Sequence, residues 1–323
     1  MTVATLRHPR VANGRFEHDV LAGLSASQKF IPCQWFYDYR GSKLFEEITQ
    51  LSEYYLTRTE TDLLRAHAKS IAARIGSGAS VVEFGSGSSR KTPLLLGALA
   101  DLQWYFPVDI AADFLAASLS ELQKQMPGLK SRAIIADLTD PSALQAIAHA
   151  LPARGPHVGA YLGSSIGNFI PAEAEALLGR FGAVLGPRSW LVIGVDSTRA
   201  LNLLIPAYDD ARGVTARFNL NVLSRINREL EGSFNLERFG HEAAFYPHLD
   251  RVEMHLVSQV RQWVQVAGRS FVFDAGERIH TENCHKFTVA QFSAMAQRAG
   301  WRVAGRWGEG QDRFGVFLLG RED

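Results

Sequence analysis

The sequence predicts an α/β fold: a doubly wound, mostly parallel sheet accompanied by a second, α+β domain. Three observations carry this. Apolar runs of strand length alternate with helical stretches from about 80 to 196, a Gly-x-Gly turn follows the first run, and the alternation stops after Ser197. "SVVEFG" reads as the first buried strand and "TPLLLGALADL" as its helix, with Pro93 tolerated in the first turn. "WYFPVDI" is the second strand and "DFLAASLSELQKQM" its helix; "SRAIIADL" is the third, and "DPSALQAIAHAL" opens on the acid-Pro pair that starts helices. "HVGAYLGSSI" and "SWLVIGVDS" are the fourth and fifth strands, separated by the helix "PAEAEALLGRFGAVL". Strands spaced by helices imply right-handed crossovers and a parallel sheet.

Beyond Ser197 one long helical stretch, "RALNLLIPAYDDARGVTARFNLNVLSRINREL", precedes the strands "HEAAFYP", "DRVEMHLVSQVRQWVQV" and "SFVFDAGERIHTENCHKF". The alternation in the middle strand predicts an antiparallel sheet with one face packed. "TVAQFSAMAQRAG" is a helix, and "WRVAGRWGEGQDRFGVFLLG" a hairpin pair returning to the first sheet. The expected division is a Rossmann-like domain over 61–196 and 287–323, and a second domain over 1–60 and 197–286.

Composition narrows the function. A net charge of +1 with acids and bases spread along 323 residues argues against a nucleic-acid partner. No apolar leader or membrane-length run is present, so no membrane partner is expected, and two cysteines, Cys33 and Cys284, suit a reducing cytoplasm. Nothing demands more than a monomer.

The stretch "VVEFGSGSSRKT" then poses a choice between a phosphate loop and a nucleoside site. Arg90 stands where the phosphate loop needs its second glycine and where the dinucleotide fingerprint needs its third, so neither a triphosphate nor a pyrophosphate is favoured. Asp109 ends the second strand, 24 residues past Gly85, where a carboxylate can accept from both ribose hydroxyls. Asp137 ends the third strand, where an acid can accept from an adenine amine. Acids at strand ends also commonly cap the next helix, but together these describe a nucleoside site without phosphate. That suits S-adenosyl-L-methionine (SAM) as methyl donor.

Longer motifs sharpen this. "WFYDYRGSKLFEEITQLSEYYLTRTE", "VVEFGSGSSRKT", "LGSSIGNF", "AYDDARGVTARFNLNVLSRINREL" and "HTENCHKF" resemble, in order and over nearly the whole chain, the histidine-specific Nα-methyltransferases of ergothioneine biosynthesis. The resemblance implies a Rossmann-like class I methyltransferase domain with a substrate-binding domain, trimethylating the α-amine of L-histidine to hercynine with SAM. By motif, Gly85, Lys91, Asp109, Asp137 and Leu138 would hold the donor. Tyr54, Asn168, Tyr208 and the Glu282–Asn283–Cys284 stretch would hold histidine, with Tyr37 near the amine and Met254 by the imidazole. Cys284 departs from the family, which carries a serine there to bond the ring.

The chemistry fits these residue types. In-line displacement from a sulfonium carbon depends mainly on positioning, and the attacking amine must be neutral. Tyr37 and Asn168 are expected to orient its lone pair while protons leave through water. Aromatic faces tolerate the fixed positive charge of the trimethylated product, although Trp35, Phe36 and Tyr55 read better as core. The hydroxyls of Tyr54 and Tyr208 suit a carboxylate, and Glu282 can accept the imidazole N–H. His280, Cys284 and His285 are not expected to bind metal, because on a regular strand 280 and 284 share a face and 285 points away. The alternatives are an α-amine methyltransferase for tryptophan or tyrosine, a catalytically silent donor-binding module, and an ATP-dependent ligase.

Overall fold

Near-continuous apolar runs such as "SVVEF" and "WLVIGV" are satisfied only where both faces of a strand are covered, and each of their residues except Trp190 is buried. The computed structural model describes residues 5–7, 13–308 and 313–322. Residues 1–4, 8–12, 309–312 and 323, assigned above to one domain or the other, lie outside the described residues. The chain forms two compact units, Met1–Val11, Leu56–Thr198 and Lys286–Asp323 in one, Ala12–Tyr55 and Arg199–His285 in the other.

The strands in chain order are β1 (Thr5–Arg7), β2 (Ser80–Phe84), β3 (Trp104–Asp109), β4 (Ala133–Ile135), β5 (His157–Tyr161) and β6 (Trp190–Val195) in the first unit. The second unit supplies β7 (Phe239–Tyr246), β8 (Arg251–Ser258), β9 (Gln262–Val266), β10 (Arg269–Phe273) and β11 (Arg278–His285). β12 (Arg302–Trp307) and β13 (Gly315–Gly320) return to the first. The large sheet runs β1-β4-β3-β2-β5-β6-β13-β12. Its first six members pair in parallel, and the closing hairpin is antiparallel. The strand order reverses between β2 and β5, which makes the carboxyl ends of those strands the crevice where such folds take ligands. Phe84 stacks on Phe181 with ring centroids 4.0 Å apart, and the buried Trp301 donates its indole N–H to Leu178 O at 2.9 Å.

Several elements differ from the reading of the sequence. Thr5–Arg7 was placed with the second domain, but it pairs with Ala133–Ile135 on the edge of the large sheet. Three residues are too few to show a period. The first unit also takes up again at Leu56 rather than 61. The helix after β2 covers only Thr92–Leu96, because beyond Gly97 the amides of Ala98 and Leu99 bond instead to Leu95 O and Leu96 O, in tighter i→i−3 turns. The long helix after Ser197 is two, Leu201–Tyr208 and Val214–Glu229. Asp210 accepts from the amides of Val214 and Thr215 at 3.0 and 2.7 Å, and Gly213 adopts φ +64°, so the second helix has its own start. "DRVEMHLVSQVRQWVQV" divides into β8 and β9, and β9 forms a two-stranded sheet with β10.

In the second unit β8 lies between β7 and β11, both antiparallel to it. The β8–β11 register slips between His280 and Glu282. This bulge at Thr281 exchanges the faces of everything after it. Glu282 and Cys284 therefore stand opposite Met254 and Val252, whereas His280, Asn283 and His285 stand opposite His255, Glu253 and Arg251. The sequence-based expectation that 280 and 284 share a face is corrected accordingly. His280 Nε2 meets Asn283 Oδ1 at 3.0 Å. Among the described residues no group of three His, Cys, Asp or Glu is placed to hold a metal ion.

The bulge also gathers titratable groups on one face. Burial, reinforced by the charge of His280, lowers His255 to about 4, and burial together with Arg251 lowers His285 to about 4. His280, on the same face, is lowered by burial as well. These histidines fold neutral, so below their ordinary pKa of 6.5 the unfolded chain takes up protons that the fold refuses. The contribution is fully present above about pH 6.5 and is lost as pH falls toward about 4, with a slope near 1.4 kcal/mol per pH unit for each proton. Urea unfolding midpoints are expected to drop between about pH 7 and about pH 5, and His255→Gln to flatten that drop. A midpoint that is constant over this range contradicts the assignment.

Candidate active site

In the first unit the loop after β2 is shaped by left-handed residues at Gly85, Gly87 and Ser89, with φ of +68°, +51° and +53°. Nothing crowds a Cβ at Gly87, so its positive φ rather than close packing calls for glycine. Asp109, at the end of β3, tethers the loop: its Oδ2 accepts from Gly87 N at 3.0 Å, and its Oδ1 from Ala111 N at 3.0 Å. Burial pushes its carboxyl up, partly offset by those amides. Asp137 closes a turn, accepting from the amide and hydroxyl of Thr139, both at 2.7 Å. The helix that follows is capped instead by Asp140. Leu138 follows, half-buried, at the margin of the sheet's core.

Beneath the loop lies Glu83. Its Oε2 accepts from Tyr105 OH at 2.6 Å and Thr92 Oγ1 at 2.7 Å, and burial pushes its pKa up to about 7. Lys91, expected to face the donor, pairs its ammonium with the fully buried Glu60. At the end of β5, Ser164 sits at φ +58° and starts the short 3-10 turn Ser165–Asn168 that carries Asn168. The amide of Asp196 donates to Ser164 Oγ at 2.9 Å. The carboxyl end of this sheet therefore carries more acids than bases, with Glu60, Glu83, Asp109, Asp137 and Asp196 set against Arg90, Lys91 and the fully buried Lys286. Such a balance suits a ligand bearing positive charge.

In the second unit Tyr37 and Tyr54 join an aromatic wall. Tyr37 meets Phe45 and Phe218 edge-on at 5.7 and 5.6 Å, and Phe45 meets Tyr54 at 6.0 Å. Asp38 fixes the turn that carries Tyr37. It caps the helix Tyr39–Ile48 through Gly41 N at 2.7 Å and accepts from Asn221 Nδ2 at 2.9 Å and Arg228 Nη2 at 2.7 Å. A Cβ on Gly41 would run into Phe36 O, so the turn needs glycine there. Trp35 and Phe36 are core: Trp35 packs on Phe16 at 5.0 Å and Phe36 on Phe218 at 4.8 Å. Tyr55 is half-buried.

Tyr208 and Cys284 come together, with OH and Sγ 2.6 Å apart. Tyr208 is itself held from behind. Asn219 Nδ2 donates to His241 Nδ1 at 2.9 Å, so the neutral His241 carries its proton on Nε2 and donates it to Tyr208 O at 2.8 Å. Met254 and Glu282 are cross-strand neighbours on the face shared with Cys284, and both are buried. Burial and the Glu282 charge push the nearby Cys33 thiol up, which makes it inert. Asn283 is not with them, since strand alternation turns it to the opposite face, where the bulge also places His280. Of the predicted residues, the second unit thus groups Tyr37 with Tyr54, and Tyr208 with Cys284.

Phe45, Phe218, Asn219 and Glu60 were missed by sequence reasoning. Glu60 left a signal: with Leu56, Leu64 and Ala68 it forms an i, i+4 row of buried residues, an acid in an apolar stripe. Phe45 and Phe218 left none, because an aromatic on an amphipathic helix reads as ordinary core.

Comparison with known proteins identifies the family. A family described as histidine-specific methyltransferase, SAM-dependent, matches residues 16–321. A histidine N-alpha-methyltransferase of Mycolicibacterium smegmatis is 39% identical over 94% of both chains, and one of Mycobacterium tuberculosis 36% identical over 94% of both. Ergothioneine biosynthesis protein 1 of Neurospora crassa is 30% identical over 90% of this chain, which spans 33% of that protein.

Proposed function

Because the chain belongs to the SAM-dependent, histidine-specific methyltransferases, we propose that it methylates the α-amine of L-histidine three times, yielding hercynine for ergothioneine biosynthesis. The observation that carries the choice of substrate is the buried face of β8 and β11, where Glu282 and Met254 lie side by side and Cys284 meets Tyr208. An imidazole offers an N–H to a carboxylate and a flat face to a thioether, neither of which an aliphatic side chain supplies. Cys284 is engaged with the Tyr208 hydroxyl, so ring recognition in this reading rests on Glu282 more than on the thiol.

SAM supplies a methyl group on a sulfonium carbon. Gly85, Lys91, Asp109, Asp137 and Leu138 are assigned to hold it, and the acid-rich carboxyl end of the sheet favours its positive charge. Tyr37 and Asn168 are assigned to orient the amine, with Tyr54 and Tyr208 for the carboxylate. Each methylation adds apolar surface and the last fixes a charge, and the faces of Tyr37, Phe45 and Phe218 are suited to both. Displacement from a sulfonium needs no metal, and none is assigned. Among the described residues no helix is long and apolar enough to cross a membrane. We assign the protein to the cytoplasm, acting as a monomer on a small molecule rather than on nucleic acid or membrane.

Mass spectrometry of products from purified protein, SAM and all twenty amino acids in competition tests this. Trimethylated histidine alone is expected. Methyl groups on tryptophan or tyrosine with histidine untouched would overturn the substrate and leave the donor half standing.

A further inference from the structure

We propose that Glu60 is a positioning residue of the methyl-donor site, holding the Lys91 ammonium and the Gly163 amide in one fixed arrangement. The inference rests on the methyl-donor reading above and adds a residue to it. Glu60 lies in the second turn of the helix Tyr55–Ile75 and is fully buried. A carboxylate in such a place is costly unless its oxygens are all engaged. They are engaged by two parts of the ligand crevice. Gly163 N, in the turn after β5, donates to both Oε1 and Oε2, at 2.9 and 2.8 Å. Lys91, at the end of the glycine loop after β2, pairs with Oε2.

The surroundings are built for this reach. Gly194 of β6 lies directly under Oε1, and a Cβ there would collide with the carboxylate. Gly163, at φ +84°, would place a Cβ 3.7 Å from Lys91 Nζ, so ammonium, amide and acid form one closed cluster. Two consequences follow for the donor. An ammonium has three N–H donors, so Lys91 can give one to Glu60 and still present others to a ligand carboxylate from a fixed angle. The pair is neutral overall, which removes the repulsion that a bare lysine would exert on a sulfonium.

The test separates this from a merely structural acid. Glu60→Gln keeps the size and an oxygen for Gly163 N but loses the ion pair. Calorimetric titration with S-adenosylhomocysteine is expected to show about tenfold weaker binding, with the KM for histidine unchanged and kcat within about twofold. Lys91→Met should weaken binding similarly, and Glu60→Gln/Lys91→Met should match Lys91→Met alone, because the acid acts through the lysine. Should Glu60→Gln fail to fold, the double variant carries the comparison. Unchanged affinity in Glu60→Gln, or a double variant about tenfold weaker than Lys91→Met, overturns the proposal. No binding by the unmodified protein overturns the methyl-donor reading itself and this inference with it.

Discussion

Lys286→Ala is expected to destabilise the protein by about 3–5 kcal/mol, the cost of leaving one charge of a buried pair without its partner. Lys286 Nζ and Asp196 Oδ2 are 2.8 Å apart, and both side chains are fully buried. Asp196 cannot simply turn to solvent, since its Oδ1 accepts from Thr198 N at 3.0 Å and its own amide is tied to Ser164. The damage should reach the Asn168 turn, which begins at Ser164. Asp196→Asn/Lys286→Met removes both charges while keeping the oxygen that Thr198 needs, and is expected within about 1 kcal/mol of the unmodified protein. Urea unfolding at constant m-value reads the difference. A Lys286→Ala midpoint close to that of the unmodified protein would mean that the buried aspartate is accommodated without its lysine.

That pair also marks where the sequence stops being readable. The parallel sheet was legible because strands covered on both faces carry unbroken apolar runs, and the glycine turn because Gly85 and Gly87 sit at a strand end. Features set by pairing rather than by pattern were not. A bulge at Thr281 needs no special residue in this chain, yet it decides that His280 leaves the face of Glu282 and Cys284 and joins Asn283. Asp210 and Gly213 restart a helix inside a stretch whose apolar spacing runs straight through. Asp109 read as a ribose acceptor from its place at a strand end, whereas the backbone amides that it also accepts from, and that shape the loop, came only with the fold. Lys91 entered by motif alone, because its partner, Glu60, is 31 residues away and known only from the fold. Charged side chains in the crevice were thus found by type and position, while their partners came only with the tertiary structure.

Glu282→Ala is expected to lower kcat/KM for histidine by about 10- to 150-fold, the range for losing a hydrogen bond to a charged group, while SAM affinity stays as it was. Glu282→Gln retains an oxygen that can accept from an imidazole N–H and should lose only part of this. Cys284→Ser, which restores the residue that the resemblance implies, should change activity only a few-fold, because Tyr208 OH already faces the Sγ at 2.6 Å. The ranking matters more than any single value. If imidazole recognition rests on the acid, Glu282→Ala must cost far more than any change at 284, and its residual activity should shift toward larger apolar side chains beside Met254. If instead Cys284→Ser raises histidine turnover by an order of magnitude while Glu282→Ala does little, the thiol is the feature that sets this pocket. The competing substrate is then to be sought among amino acids whose ring offers no N–H to Glu282.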